Sequence, residues 1–476
     1  MESIFNPSSV AVIGASGAPG KWGFGIFARL IGGGNDRPVY PVNNRVDQIL
    51  GVRTYPSLLD IPGPVELAII VSPPETVPSV MSDCVAKGVK GAVVVTAGFA
   101  EVGEKGKAAE RRVVEMAREG GIRFVGPNCM GHFNTAADLM TVGEMTGVPR
   151  GPIACISQSG NFGGYVIWRG AQMGIGFSKF VSTGNEADLK LEDYLEYLAQ
   201  DDETKVITAY IEGIRDPRRF FALARDITKA KPVVVMKSGR TSEGARAAWS
   251  HTAALAGEDA IHDAMFRQCG VIRVGEADEM FDIAVALVAQ PRPRGRRVAI
   301  LTGGGGFGVV ATDACVRLGL EIAELSPETI ETLNKYLPPR WSHGNPVDMA
   351  GTSNTSYGCM GTLLKAEGVD AVLGMSCVGS PSTVPSGPDV PDAVRKAAEY
   401  AEYVADEEAK LVDGLLERVK RHDKPIVLAY APAGNESPAV RKLNQRGFFV
   451  YPTPERAVRV LAHLVRYGEY LASVGV

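Results

Sequence analysis

Three times along the chain a short, wholly apolar run stops on a glycine-bearing turn and gives way to a helical pattern. Val10-Ala11-Val12-Ile13 runs into Gly14-Ala15-Ser16-Gly17-Ala18-Pro19-Gly20, Ile153-Ala154-Cys155-Ile156 runs into Ser157-Gln158-Ser159-Gly160, and Val298 to Leu301 runs into Thr302-Gly303-Gly304-Gly305-Gly306. Unbroken Val/Ile/Ala runs suit strands covered on both faces, and strand, turn, helix is how parallel strands connect. An α/β chain with parallel sheets is therefore expected. Its 476 residues leave room for roughly two to four domains. The boundaries read as 1–147, 148–289, a linker at 290–297 and 298–476. That linker, Gln290-Pro291-Arg292-Pro293-Arg294-Gly295-Arg296-Arg297, reads as a solvated basic connector.

In the first unit a second strand near Val39 to Val42 completes a βαβ motif, with a helix from about Gly23 to Leu30 between. Glycines there let backbone N–H groups approach a phosphate at a helix start. A nicotinamide dinucleotide would want an acidic residue after the second strand. Asn43-Asn44-Arg45 stand there instead, and Arg45 suits a phosphorylated adenosine. Further strands at Leu67 to Val71, Gly91 to Val95 and Arg123 to Val125 end on Ser72-Pro73-Pro74, Thr96-Ala97-Gly98-Phe99 and Gly126-Pro127-Asn128-Cys129-Met130-Gly131. Ligands of open α/β sheets sit at such ends.

The second unit carries the chemistry. Ser157-Gln158-Ser159-Gly160 ahead of a helix makes a phosphate cradle from hydroxyls and unpaired N–H groups, and Ser182-Thr183-Gly184-Asn185 closes the next strand. Strand Val206 to Ile211 ends at Glu212, and the strand at Pro232 to Met236 leads into a connection that holds Ser250-His251-Thr252 before a helix from Glu258 to Gln268. In a parallel sheet those two points can meet, and a carboxylate on one ring nitrogen makes the other more nucleophilic. The plainer alternative pairs Glu212 with Arg215 or Arg240 at the surface. In the third unit Asn345-Pro346-Val347-Asp348, with Arg340 nearby, fits a turn that meets phosphate.

Composition excludes several classes. A net charge of -4 gives no electrostatic reason to bind nucleic acid or an anionic membrane. Seven scattered cysteines with no C-x-x-C pair argue against a disulfide framework or a metal site, and a cytoplasmic setting fits best. No apolar run is long enough to span a bilayer.

Taken in order, these blocks, together with Tyr210-Ile211-Glu212-Gly213 and Tyr451-Pro452-Thr453-Pro454-Glu455-Arg456-Ala457, resemble the alpha subunit of the NDP-forming acyl-CoA synthetases. The type is the ADP-forming acetyl-CoA synthetase, related to succinyl-CoA synthetase. The resemblance implies a Rossmann-like CoA-binding domain followed by two flavodoxin-like domains, and a phosphohistidine at His251 supported by Glu212. Coenzyme A would lie on Gly14, Ala15, Ser16, Gly17, Gly20 and Lys21, with Asn43, Arg45, Ser72, Pro73, Ala97 and Gly98. Phosphate and substrate would meet Asn128, Cys129, Ser157, Gln158, Ser159, Gly160, Gly184 and Asn185. ADP or ATP with Mg2+ would sit on an ATP-grasp beta subunit in a heterotetramer.

Two features depart from the family pattern: a loop and long charged helix over 376–421, and Ala253 where glycine is usual. Phe99, Asn128, Met130, His132 and Phe162 are expected to wall the acyl pocket, with His262, His343, His422 and His463 structural. Two rivals stand beside the ligase: a nicotinamide oxidoreductase, disfavoured by the missing ribose carboxylate, and a non-catalytic acyl-CoA-binding protein of the same fold.

Overall fold

The computed structural model describes residues 1–34, 36–143, 145, 147–241, 243–244, 259–350, 355–379, 391–432 and 434–476. They divide into two compact units, Met1–Ala277 and Asp278–Val476.

The first unit holds two sheets. Strands β1 (Val10–Ile13) and β2 (Val39–Val42) are followed by a small hairpin of β3 (Gln48–Ile49) and β4 (Val52–Arg53), then by β5 (Leu67–Ile70), β6 (Gly91–Val94) and β7 (Arg123–Val125). The first sheet has the order β2-β1-β5-β6-β7 and is parallel throughout. Every residue of β1, β5 and β6 is buried, as their unbroken apolar runs require. The chain turns to β2 on one side of β1 and returns to β5 on the other. The crevice of this sheet therefore opens at the carboxyl ends of β1 and β5.

The second sheet is built from β8 (His132–Asn134), β9 (Leu139–Met140), β10 (Arg150–Ser157), β11 (Phe177–Ser182), β12 (Val206–Ile211), β13 (Val233–Lys237) and β14 (Ile272–Val274). Its order is β14-β13-β12-β10-β11-β8-β9. Only the pairings of β8, with β11 and with β9, are antiparallel, so β8 alone runs against the other strands, with Phe133 opposite Phe180. Residues 132–140, grouped with the first unit in the sequence reading, thus form the edge of the second sheet. Here the order reverses at β10, so the crevice opens where Ser157 and Glu212 leave their strands. One apolar core joins the two sheets, with Val12, Ile69 and Val93 from the first and Ile156, Ile207 and Val235 from the second.

The second unit has one sheet of β15 (Arg297–Thr302), β16 (Glu321–Ile322), β17 (Val347–Asp348), β18 (Ala371–Met375), β19 (Ile426–Ala429) and β20 (Val450–Tyr451). The order is β16-β15-β18-β19-β20, with β17 beside β15. The four arginines at 290–297 are exposed, as expected of a solvated connector, yet three also pair with carboxylates: Arg297 with Asp370 at 2.8 Å, Arg294 with Asp423 at 2.9 Å and Arg296 with Glu469 at 2.5 Å. Each of the three finds its carboxylate within the unit Asp278–Val476, to which it belongs. Asn345 is not a phosphate ligand. Its Oδ1 accepts from Ile300 N at 2.8 Å, and its Nδ2 donates to Val298 O at 2.8 Å and Ala323 O at 2.9 Å. The helix Asp392–His422 buries its apolar face only from Ala405 onward, leaving Tyr400 and Tyr403 exposed.

Candidate functional site

The turn after β1 is shaped by close approach. Gly14 has φ +90°, and a methyl group there would lie 3.1 Å from Ser72 N, while one at Gly23 would lie 2.2 Å from Gly14 O. Only glycine allows the helix Trp22–Gly32 to start this near the strand ends. Ser16 Oγ accepts from Ala18 N at 3.1 Å, Ala15 is buried, and Asn43 Nδ2 ties the end of β2 to Ala15 O at 2.8 Å. Arg45 N in turn donates to Asn43 Oδ1 at 2.8 Å. Gly17, Gly20 and Lys21 complete the turn, and Lys21 is exposed.

A cavity of about 830 Å³ opens between the carboxyl ends of the two sheets. From the first sheet it is lined by Ser72, Pro73, Thr96 and Ala97, and from the chain that crosses between the sheets by Asn128, Cys129 and Met130. From the second it takes Gln158, Ser159, Gly160, Gly184 and Asn185. Gly98 adjoins this wall, where its N–H donates to Glu101 Oε1 at 2.5 Å. The Gly14 to Lys21 turn, Asn43 and Arg45 lie outside the lining, although Trp22, the next residue, is part of it. Ser157 is fully buried just beneath, its Oγ donating to Ser159 O at 2.6 Å. Ser159 caps the helix Gly160–Gln172 by accepting from Phe162 N. Gly160 and Asn161, whose N–H groups open that helix, line the cavity, and a helix start is a ready site for an anion.

Asn128 and Asn185 join the two sheets. Asn128 N donates to Thr96 O at 3.0 Å and Asn185 N to Pro127 O at 2.9 Å. Asn128 Nδ2 also donates to Asn185 Oδ1 at 3.2 Å. Asn185 Nδ2 reaches two carboxylates of the first sheet's side, Glu101 at 2.6 Å and Glu110 at 2.9 Å. Burial works against the Glu101 anion. Its hydrogen bonds from Asn185, Gly98 and Phe99 outweigh this and hold it below the usual carboxylate range. Gly184 has φ +58°, and a methyl there would sit 2.2 Å from Pro127 O.

Beneath this seam lies a polar group that sequence reasoning missed. Glu186 is buried, with φ +53°. Burial pushes its carboxyl up to about 7, although Gln158, Arg215 and Thr183 each favour the anion. Gln158 Nε2 donates to Glu186 Oε1 at 3.1 Å and to Gly213 O at 2.8 Å, while its Oε1 accepts from the N–H groups of Glu212 at 2.6 Å and Gly213 at 3.0 Å. Gln158 therefore fixes the chain at Glu212, itself nearly buried. Of the arginines that sequence offered to Glu212, Arg215 contacts Glu186 at 3.6 Å and Asn185 O at 2.6 Å, and Arg240 contacts Asp259 at 3.8 Å. Lys237, also unforeseen, ends β13 beside Ile211 of β12. Burial depresses its ammonium and so does Arg273, while Asp259 and Glu212 support its charge. A lysine closing the run Val233 to Met236 was the available signal.

His251 lies outside the described residues, as do Ser250, Thr252 and Ala253. The described chain on either side is drawn together by Arg240 and Asp259, on the flank of the sheet where Glu212 and Lys237 stand.

Three expected pocket walls are elsewhere. His132 is fully buried, its Nε2 2.7 Å from Ile4 O, its Nδ1 3.0 Å from Thr141 Oγ1 and its ring edge-on to Phe5. Burial pushes it down to about 4, so it is a neutral packing residue. Phe99 is buried behind the wall, and Phe162 packs on Tyr210 with ring centres 4.2 Å apart. Cys129 faces the cavity yet donates to Val94 O at 3.4 Å, and burial pushes its thiol up to about 12. It is not a nucleophile near neutral pH. Among the described residues no group of His, Cys, Asp and Glu could hold a metal, and no helix is long and apolar enough to cross a membrane.

Residues 8–135 match the CoA binding domain family, 150–287 the succinyl-CoA ligase like flavodoxin domain and 298–373 the ligase-CoA domain. The chain is 40% identical to the alpha subunit of the ADP-forming acetate–CoA ligase II of Pyrococcus furiosus, over 98% of this chain and 97% of that protein. It is 36% identical to the ADP-forming acetate–CoA ligase of Methanocaldococcus jannaschii, over 98% of this chain but 63% of that longer protein. Its fold matches the dinucleotide forming acetyl-coenzyme A synthetase 1 of Ca. Korarchaeum cryptofilum, solved with phosphate and ADP, at a TM-score of 0.86 and 33% identity over 100% of this chain and 99% of that one.

Proposed function

Since the chain belongs to the ADP-forming acetate–CoA ligase family, as a homologue of its alpha subunits, we propose that it interconverts acyl-CoA, phosphate and ADP with the free acid, CoA and ATP. An ATP-grasp chain would act in trans. A phosphate oxygen attacks the thioester carbonyl, the C–S bond breaks, and CoA leaves as the thiol after taking a proton. The acyl phosphate then meets His251. Its imidazole attacks phosphorus, the bond from phosphorus to the acyl oxygen breaks, and the carboxylate departs. The phosphoryl group passes last to ADP, which with Mg2+ belongs to the partner.

The observation that carries this reading is a cavity with a strand-end wall on one side and a helix N-terminus on the other. Ser72, Pro73, Ala97 and Gly98, with the turn from Gly14 to Lys21, Asn43 and Arg45, take CoA. The cradle at Ser157, Gln158, Ser159 and Gly160 takes the phosphate, with Asn128, Gly184 and Asn185 opposite. Preorganised N–H donors supply the electrostatic stabilisation that phosphoryl transfer depends on. Glu212, held by Gln158, orients the imidazole, which is nucleophilic in its neutral form.

A partner in trans is supported by the relatives and by surface. Two relatives covered almost end to end are named as alpha subunits. Tyr165 and Trp168, 47% and 57% exposed, stand on the helix that forms the cradle, and exposed aromatics of this kind anchor interfaces. The scattered cysteines keep the cytoplasm as the proposed compartment.

The test incubates the chain, alone and with an ATP-grasp chain, with labelled phosphate and a panel of acyl-CoAs. Acid-labile label should appear, vanish in His251→Ala and form about 100-fold more slowly in Glu212→Gln. Tight CoA binding without label from any acyl-CoA, in either setting, would instead make the protein a binding module.

A further inference from the structure

We infer that Met130 sets how large an acyl group the cavity accepts, and that Gly164 provides the space in which its side chain rests. The inference rests on the ligase reading. In that reaction the thioester carbon lies between phosphate at the start of the helix Gly160–Gln172 and the thiol end of CoA arriving from Ser72 and Thr96. The acyl tail must then occupy the cavity beside the helix start. Met130 is the long apolar side chain that lines it there.

Its backbone is fixed, since Met130 N donates to Ser182 Oγ at 3.0 Å. Its side chain lies along a shallow groove in the helix. A methyl group at Gly160 would be 3.3 Å from Met130 Cβ, and one at Gly164 would be 3.1 Å from its Sδ and 3.2 Å from its Cε. Residues four apart share one helix face, so the two glycines make a continuous floor. Behind it, Met145 Cε lies 3.6 Å from the same point over Gly164. Methionine is unbranched and readily changes shape, so a methyl at Gly164 would meet only the movable end of a side chain. It would lift the thioether off the groove and into the cavity. Alanine is also the better helix former, which keeps this variant folded.

The two substitutions therefore act in opposite directions. Met130→Ala enlarges the acyl space and Gly164→Ala reduces it. The rate of acid-labile labelling would be measured against concentration for acetyl-, propionyl- and phenylacetyl-CoA, with the partner chain present. Relative to wild type, the preference for phenylacetyl- over acetyl-CoA should rise about tenfold in Met130→Ala, and that for propionyl- over acetyl-CoA should fall about tenfold in Gly164→Ala, the scale on which hydrophobic pockets discriminate methylenes. Unchanged preferences in Gly164→Ala, with the wild type active, would overturn the inference even if Met130→Ala failed to fold. No label in the wild type with any thioester would overturn the ligase reading instead.

Discussion

Gln158 Oε1 accepts the backbone N–H of Glu212 at 2.6 Å, so a residue of the proposed phosphate cradle also sets where the carboxylate strand ends. The same amide's nitrogen holds Glu186 and Gly213 O. One side chain thus satisfies four polar groups at the switch point of the sheet. Gln158→Ala should cost about 1–3 kcal/mol by leaving buried donors unmet. It should also slow phosphohistidine labelling about tenfold at saturating substrate. Denaturant unfolding and labelling rates measure the two effects separately, and Gln158→Glu, which cannot donate to Glu186, should not restore the rate.

Glu186 gives the fold a pH dependence whose sign is fixed. Burial raises its carboxyl to about 7, above its value in the unfolded chain, so the folded state holds the extra proton between about pH 4.5 and 7. Stability from this group is complete below that window and falls as pH rises through it, by on the order of 3 kcal/mol. In Glu186→Gln the decline in urea midpoint between pH 5 and 8 should be visibly flattened. An unchanged decline would mean that other groups carry it.

Gly184→Ala should destabilise the first unit by more than about 2 kcal/mol. The backbone there is left-handed and the new methyl would sit 2.2 Å from Pro127 O, which cannot move aside as a flexible side chain would. Thermal unfolding followed by circular dichroism measures the loss.

Trp168→Ala should weaken association with the proposed ATP-grasp chain about tenfold, because an aromatic anchor at the centre of an interface can carry more than about 1.4 kcal/mol. It should leave CoA affinity unchanged. Calorimetry with each ligand in turn distinguishes a docking defect from a general one.

Much of the architecture was readable because the strands that matter are unbroken Val/Ile runs closed by turn residues. Val10–Ile13, Gly91–Val94 and Val206–Ile211 have no competing helical period. The His132–Asn134 strand was not readable: three residues, one an inward histidine, carry no alternation, and their pairing with Lys179 to Val181 is set by the neighbouring sheet. His132 stands close to Asn128 in sequence, which suggests a pocket wall, yet contacts with Ile4 and Thr141 decide its place. The bridge from Asn185 to Glu101 and Glu110 spans 84 and 75 residues, a separation over which spacing says nothing. Glu186 and Lys237 are illegible in sequence for a related reason. Their environment comes from neighbouring strands and not from their own segment.

The crossing from β7 into β8 has a consequence for engineering. Residues 126–131 leave the first sheet, line the cavity and enter the edge of the second, so neither half is a detachable cassette. A graft ending at Val125 would leave the recipient's Asn128, Cys129 and Met130 facing the cavity, and a second half begun after Met140 would strip β11 of its neighbour and expose a sticky strand edge, whereas a transplant carried through Met140 takes both lining and edge with it. Exchange of thioester recognition between relatives should therefore succeed only when the donor piece ends beyond the crossing.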